Sequence, residues 1–266
     1  SLDQESLHVR VSALLDSALG QLADATNDNL DWATDAGGWQ SAVGRLKAHA
    51  RSARDLELRL PIVAPMKAGK STLINSMVGH ALLPSRNLAM TTLPTRIRLD
   101  ANAMEPTLSL DDDDVALFQN LVRDLEGAVQ ESAVDLIDRY PHLQGLIAHL
   151  ADGSLPPILP LHVGHTAVLG ALKTLNDLVR LAVYLIPERD VLGELADAPL
   201  LRTPYRSCDE LNPTVSGTLS LVDTPGPNED GLSVRLTRAV CDQLEECHAV
   251  TVLLDFTSIG TNADRD

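Results

Sequence analysis

Ala64-Pro65-Met66-Lys67-Ala68-Gly69-Lys70-Ser71-Thr72 decides the fold. An apolar run, Leu58 to Val63, leads into it, and a helix-like run, Leu73-Ile74-Asn75-Ser76-Met77-Val78, leads out. Strand, tight turn ending in Gly-Lys-Ser, helix is the architecture of a phosphate-binding loop. The first N–H groups of a helix have no partner within it and carry partial positive charge. Successive N–H groups at such a turn therefore make an anion site. In that pattern Lys70 reaches the β- and γ-phosphates of a nucleotide, and the Ser71 hydroxyl ligates Mg2+. The loop departs from G-x-x-x-x-G-K-[ST] at one position, because Ala64 stands where the first Gly belongs. A Gly-Lys-Ser can also begin a helix by chance. The strand before it and the helix after it favour the phosphate loop.

The remainder of the chain narrows the classes available. At 266 residues it has room for one large domain, or a domain with an appendage. Aromatic content is 3%, so the core must be built from Leu, Val, Ile and Ala. The net charge of −16 argues against a broad nucleic-acid footprint, which needs a basic surface, and against electrostatic attachment to anionic lipid. Three cysteines, Cys208, Cys241 and Cys247, show no paired spacing and fit a reducing, cytoplasmic setting. No apolar run approaches the ~20 residues of a membrane-spanning helix. The start at Ser1 without Met, and the stop soon after an apolar run, suggest a fragment truncated at its C-terminus.

Residues 1–59 read as a helical segment, part of a bundle. Leu7, Val11, Leu14, Ala18 and Leu22 share one helix face, and Val43, Leu46, Ala50 and Ala53 share another beyond an Asp- and Gly-rich connector. Residues 60–266 read as one nucleotide-binding domain. Residues 81–94 have no period and carry two prolines, which predicts a loop over the nucleotide. Thr95 to Leu99 alternates as a strand, with Thr107 to Leu110 as its expected partner. Residues 111–200 predict a mainly helical insertion. Asp111 to Asp114 would cap its first helix, on which Val115, Phe118, Val122, Leu125 and Val129 keep helical spacing. Val168, Leu172, Leu175, Val179 and Ala182 form the stripe of a second helix. His162 and His165 are three apart without a third ligand type, and read as surface or packing histidines.

Thr218 to Val222 is a short apolar strand running into Asp223-Thr224-Pro225-Gly226. A carboxylate at the end of a strand beside a phosphate loop can hold Mg2+, directly or through water. Gly226 would let its N–H approach the γ-phosphate. A helix is expected from about Gly231 to Glu246. His248 to Leu254 then reads as a strand buried on both faces. Strands alternating with helices imply an α/β doubly wound sheet.

At this point the chain resembles the dynamin-like GTPases, in particular the bacterial branch that includes replication-fork clamp-binding proteins. The matching residues are Met66 to Thr72; Leu83-Pro84-Ser85-Arg86-Asn87 with Met90-Thr91-Thr92-Leu93-Pro94-Thr95; Leu172-Lys173-Thr174-Leu175-Asn176-Asp177-Leu178-Val179-Arg180-Leu181; Asp223-Thr224-Pro225-Gly226-Pro227-Asn228-Glu229; and the strand ending Leu254-Asp255. The resemblance spans roughly residues 60–260 and is loose over the first 55. It implies Mg2+-dependent GTP hydrolysis and self-assembly through the GTPase face. It makes residues 81–94 the first switch, with Thr91 in the place of the Mg2+-binding threonine and Thr92 as its rival. Asp223 and Gly226 would belong to the second switch.

Two departures stand out. Lys67 replaces the small hydroxyl residue that dynamins usually carry there, which the resemblance links to a monovalent cation. Its ammonium would either neutralise charge between the β- and γ-phosphates or face solvent and raise the local potential. No Asn/Thr-Lys-x-Asp guanine-reading motif is present, and Thr261-Asn262-Ala263-Asp264 is not one. Guanine specificity therefore rests on the resemblance. The competing reading is a nucleotide-switched scaffold that holds a replication sliding clamp, since Gln4-x-x-Leu7-x-Val9 loosely resembles a clamp-binding peptide. An ATP-using protein is disfavoured by the two switch-like loops, and membrane remodelling finds no apolar segment to support it.

Overall fold

The computed structural model describes residues 2–27, 46, 50, 57–65, 68–83, 92–100, 102–130, 133–195, 197–204, 218–225, 241, 244 and 247–254. The chain forms two compact units, residues 1–58 with 212–219, and residues 59–211 with 220–266. Helix α1, Leu2–Asn27, runs through the first predicted apolar stripe. Of the described side chains on that stripe, Val11 is 39% exposed and Leu14 71%. Of the second predicted helix, residues 46 and 50 are helical and the rest lie outside the described residues.

Seven strands form one mixed sheet, in the order β4-β3-β5-β2-β6-β1-β7. The strands are β1 Glu57–Val63, β2 Thr95–Asp100, β3 Thr107–Ser109, β4 Leu161–Val163, β5 Leu200–Pro204, β6 Thr218–Asp223 and β7 Thr251–Val252. β2 lies parallel to β5 and antiparallel to β6. β3 is antiparallel to both β4 and β5.

Two strand expectations need correction. Thr107–Ser109 pairs with β4 and β5, not with the strand at Thr95, because β5 takes the place beside β2. The run from His248 is an edge rather than a buried strand, with Val250, Val252 and Leu254 at 48%, 61% and 56% exposure. Its pairing with β1 is also short, for a reason that lies in β1. The Arg59 N–H donates to His248 Nδ1 and the Val63 carbonyl accepts from Leu253 N–H, so both turn towards β7. Pro61 shares that side by the two-residue period of a strand and has no N–H to donate. The paired stretch of β7 is correspondingly confined to Thr251 and Val252.

Helix α2, Lys70–Val78, follows the loop after β1. Between β3 and β5 the chain builds α3 (Asp112–Val129), α4 (Ala133–Arg139), a 3-10 turn (Pro141–Leu143), α5 (Gln144–Ala151), α6 (His165–Leu185) and α7 (Val191–Glu194). Two strands also lie in or directly after this stretch, β4 within it and β5 starting at its end. They are short, and their flanking prolines mask any alternation. The α3 stripe is Leu117, Phe118, Leu121, Leu125 and Val129, with Val115 and Val122 partly buried. The α6 stripe, Val168, Leu172, Leu175, Val179 and Ala182, is buried as its spacing predicts. These helices and the sheet share one core, in which Ile62, Ile74, Ile97, Phe118 and Leu221 are fully enclosed. The predicted helix at 231–246 lies outside the described residues except at positions 241 and 244, which are helical.

Candidate functional site

The described ends of the loop after β1 are bonded to each other. Ala64 is 1% exposed, and the Ala68 N–H donates to the Pro65 carbonyl at 3.1 Å. Gly69 then caps α2 with φ +93° and ψ 18°. This left-handed conformation costs an L-residue with a Cβ roughly 1–2 kcal/mol, which explains the glycine immediately before Lys70. The Gly69 carbonyl accepts from Leu73 N–H at 2.9 Å, so the helix starts at once. No side chain caps α2 and its first turn carries no acid, so its leading N–H groups keep their positive end. Ser71, half-buried, and the exposed Thr72 lie in this first turn.

β6 delivers the second half. Its last residue, Asp223, is 3% exposed, and its register partner on β2 is Thr95. Lys70 Nζ stands 2.9 Å from Asp223 Oδ1 and also donates to the Thr224 carbonyl. The Thr224 hydroxyl donates to the Ile62 carbonyl at 2.9 Å, tying the end of β6 to β1. The structure thus brings Lys70, Ser71 and Asp223 to one end of neighbouring strands, where open α/β sheets bind ligands. Met66, Lys67, Thr91 and Gly226 lie outside the described residues.

The rival threonine is committed elsewhere. Thr92 is fully buried and its hydroxyl donates to the Asn176 carbonyl at 2.9 Å. Thr92 therefore faces α6. The sequence also left unread a pair of asparagines that hold the loop ends. Asn75 Oδ1 accepts from the N–H groups of Leu82 and Leu83, at 2.9 and 2.7 Å. Asn176 Oδ1 accepts from those of Thr92 and Leu93, at 2.8 and 3.0 Å. Their signal was present, since asparagine is a poor residue for a helix interior and each interrupts an apolar helix run.

Asp111 caps α3 as expected, accepting from Asp112 N–H at 3.2 Å, with Asp112, Asp113 and Asp114 in the first turn. His165 is bonded to the Ala81 carbonyl, while His162 is half-buried on β4 and burial lowers its pKa from the ordinary 6.5.

A metal at this site has suitable donors. A buried carboxylate and a helix-start hydroxyl are hard oxygen ligands of the kind magnesium takes. Asp223 already has a cation against it, the Lys70 ammonium. Among the described residues no group of three or more His, Cys, Asp or Glu could hold a metal ion. Phosphate and water oxygens usually complete a magnesium site of this kind.

The Dynamin family profile matches residues 61–266. The chain belongs to the dynamin family. Its curated relatives include the clamp-binding protein CrfC of Escherichia coli K12, 32% identical over 227 residues, which are 83% of this chain and 30% of that protein. The chain thus spans about a third of the length of such relatives. Two solved structures described as an oligomerised bacterial dynamin pair, with a mechanism for long-range sensing and tethering of membranes, align with 99% of this chain and 36% of theirs. Their identities are 19% and 18%, with TM-scores of 0.40. Among the described residues no helix is long and apolar enough to cross a membrane.

Proposed function

We propose that residues 60–266 of this dynamin-family chain bind and hydrolyse GTP with Mg2+, residues 1–59 being a helical segment. The observation that carries the reading is the ion pair of Lys70 with Asp223 at 2.9 Å, beside a helix start capped only by Gly69. A phosphate arriving there meets the leading N–H groups of α2 and competes with Asp223 for the Lys70 ammonium. That exchange leaves the Asp223 carboxylate and the Ser71 hydroxyl to hold the cation. Bound Mg2+ would neutralise charge on the phosphoryl oxygens. Thr91 is the proposed third protein ligand, supported by the commitment of Thr92 to Asn176. Lys67 is proposed to act on the same charge from the loop. Positioning and charge stabilisation, without a general base, would carry the reaction.

Fluorescent-nucleotide titration with and without Mg2+ tests the reading. Tight, Mg2+-dependent binding of GTP over ATP, lost in Lys70→Ala, is expected, and equal binding by Lys70→Ala would refute it. Turnover that rises with protein concentration would support self-association through the GTPase face. We further propose a cytoplasmic setting, supported by the low cysteine count, three in 266 residues with no paired spacing.

A second reading is favoured by the name of the CrfC relatives. Here the chain is a nucleotide-switched scaffold for a replication sliding clamp, with slow hydrolysis and a contact near Gln4, Leu7 and Val9 on α1. Competition between a clamp-binding peptide and this protein for a purified clamp distinguishes it.

A further inference from the structure

We propose that Asn176 is a positioning residue for the phosphate site: through it, helix α6 holds the start of β2 and thereby the placement of Asp223. The inference rests on the site proposed above. Asn176 uses all its polar groups. Its Oδ1 accepts from Thr92 N–H and Leu93 N–H, and its Nδ2 donates to the Leu172 carbonyl at 2.8 Å one turn earlier in α6. Its own carbonyl accepts from the Thr92 hydroxyl. A planar amide held at both ends has one orientation, so two consecutive backbone N–H groups are fixed against the helix. Thr92 and Leu93 are both fully buried, so in the intact protein these N–H groups are held by Asn176 and not by bulk solvent.

From there the path to the site is short. The Thr95 hydroxyl donates to the Leu93 carbonyl at 3.3 Å, and Thr95 stands directly opposite Asp223 in the β2–β6 ladder. Asp223 holds Lys70. α6 packs on α3 and on the strands β3 and β4, and at Asn176 it bonds the backbone that leads into β2. This gives a physical role to the Leu-Asn-Asp-Leu-Val-Arg-Leu run of α6, which the phosphate chemistry did not use.

The test compares wild type, Asn176→Ala, Asn176→Asp and Val168→Ala. Asn176→Asp keeps an acceptor for both N–H groups. Val168→Ala opens a cavity in the same helix, at a residue with 0% exposure, and serves as the stability-matched control. Amide exchange comes first. In Asn176→Ala, exchange at Thr92 and Leu93 should quicken about a hundredfold and at Leu221 to Asp223 about tenfold, with Val168→Ala unchanged at the latter. For GTP turnover, Asn176→Ala should raise the Mg2+ concentration for half-maximal rate and lower kcat by roughly tenfold each, with Asn176→Asp near wild type. GDP affinity should stay within about twofold, because Asn176 does not reach the nucleotide. Should Asn176→Ala fail to fold, Asn176→Gln, which moves the amide by one methylene, should show the same pattern. Unchanged exchange at Leu221 to Asp223, or a turnover loss matched by Val168→Ala, would overturn the coupling. If wild type hydrolyses no GTP, the proposed function falls while the exchange result still decides the role of Asn176.

Discussion

Helices α2 and α3 begin in opposite ways, and the contrast separates a working end from a structural one. Both present unpaired N–H groups and a partial positive charge. At α3 the chain fills that end itself, with Asp111 as cap and three acids in the first turn. At α2 it supplies a bare Gly69, no acid, and a lysine whose counter-charge, Asp223, comes from a strand 153 positions away in the numbering, 223 − 70. α6 is intermediate. Gly164 caps it without a side-chain bond, and the Glu105 carboxylate lies 3.2 Å from where a Gly164 Cβ would stand. The α2 start has neither a carboxylate cap nor an acid in its own first turn, which leaves its N–H groups open to an external anion.

The comparison breaks most severely at Lys70. Lys70→Ala should weaken GTP binding by about a hundredfold and destabilise the fold by roughly 1–3 kcal/mol, because the buried Asp223 carboxylate loses the Lys70 ammonium. Nucleotide titration and thermal melting would read both. The reverse manipulation gives the α2 start the acid that α3 has. Thr72→Asp, at an exposed first-turn position, should stabilise the helix by about 0.5 kcal/mol and weaken GTP binding by severalfold. Opposite signs in melting and affinity are the expected result, and tighter GTP binding would contradict the contrast.

Gly69→Ala probes the backbone. Nothing lies within 4 Å of the added Cβ, so the cost is conformational, about 1 kcal/mol, visible in denaturant unfolding. Asp111→Ala should cost about 0.5–1 kcal/mol of stability and leave nucleotide affinity unchanged, since it removes a cap that serves only the fold. The smallest effect concerns His162, beside the α6 start. Burial favours its neutral ring, so the unfolded chain binds the extra proton first. Stability should fall as pH drops below about 6.5 and level off once the folded protein also titrates. His162→Gln should flatten that part of a melting-temperature profile.

Much of this was legible from residues alone, for identifiable reasons. The phosphate loop is local: strand, turn, Gly-Lys-Ser and helix are contiguous, and each position has its own physical demand. The acid run at Asp111 is local too, and it caps as read. The long stripe of α6 emerged because its period persists for several turns. Short strands were less accessible. β4 and the paired part of β7 have three and two residues, too few to express a period, and β3 shows no preference for β2 over β5. The stripe on α1 was visible, but periodicity does not reveal what covers a face.

The amino-acid order by itself determined the chemistry available at Gly69-Lys70-Ser71 and at Asp223, because those groups act through their own charge, hydroxyl or lack of a Cβ. It determined where most helices run, because their side-chain period is a property of neighbouring residues. Tertiary structure alone decided that Lys70 meets Asp223 and that Thr92 turns to Asn176. The latter pair are separated by 84 positions and meet only once β2 and α6 have packed. Hydrogen bonds of that reach depend on register and packing angle, which no local stretch of chain encodes.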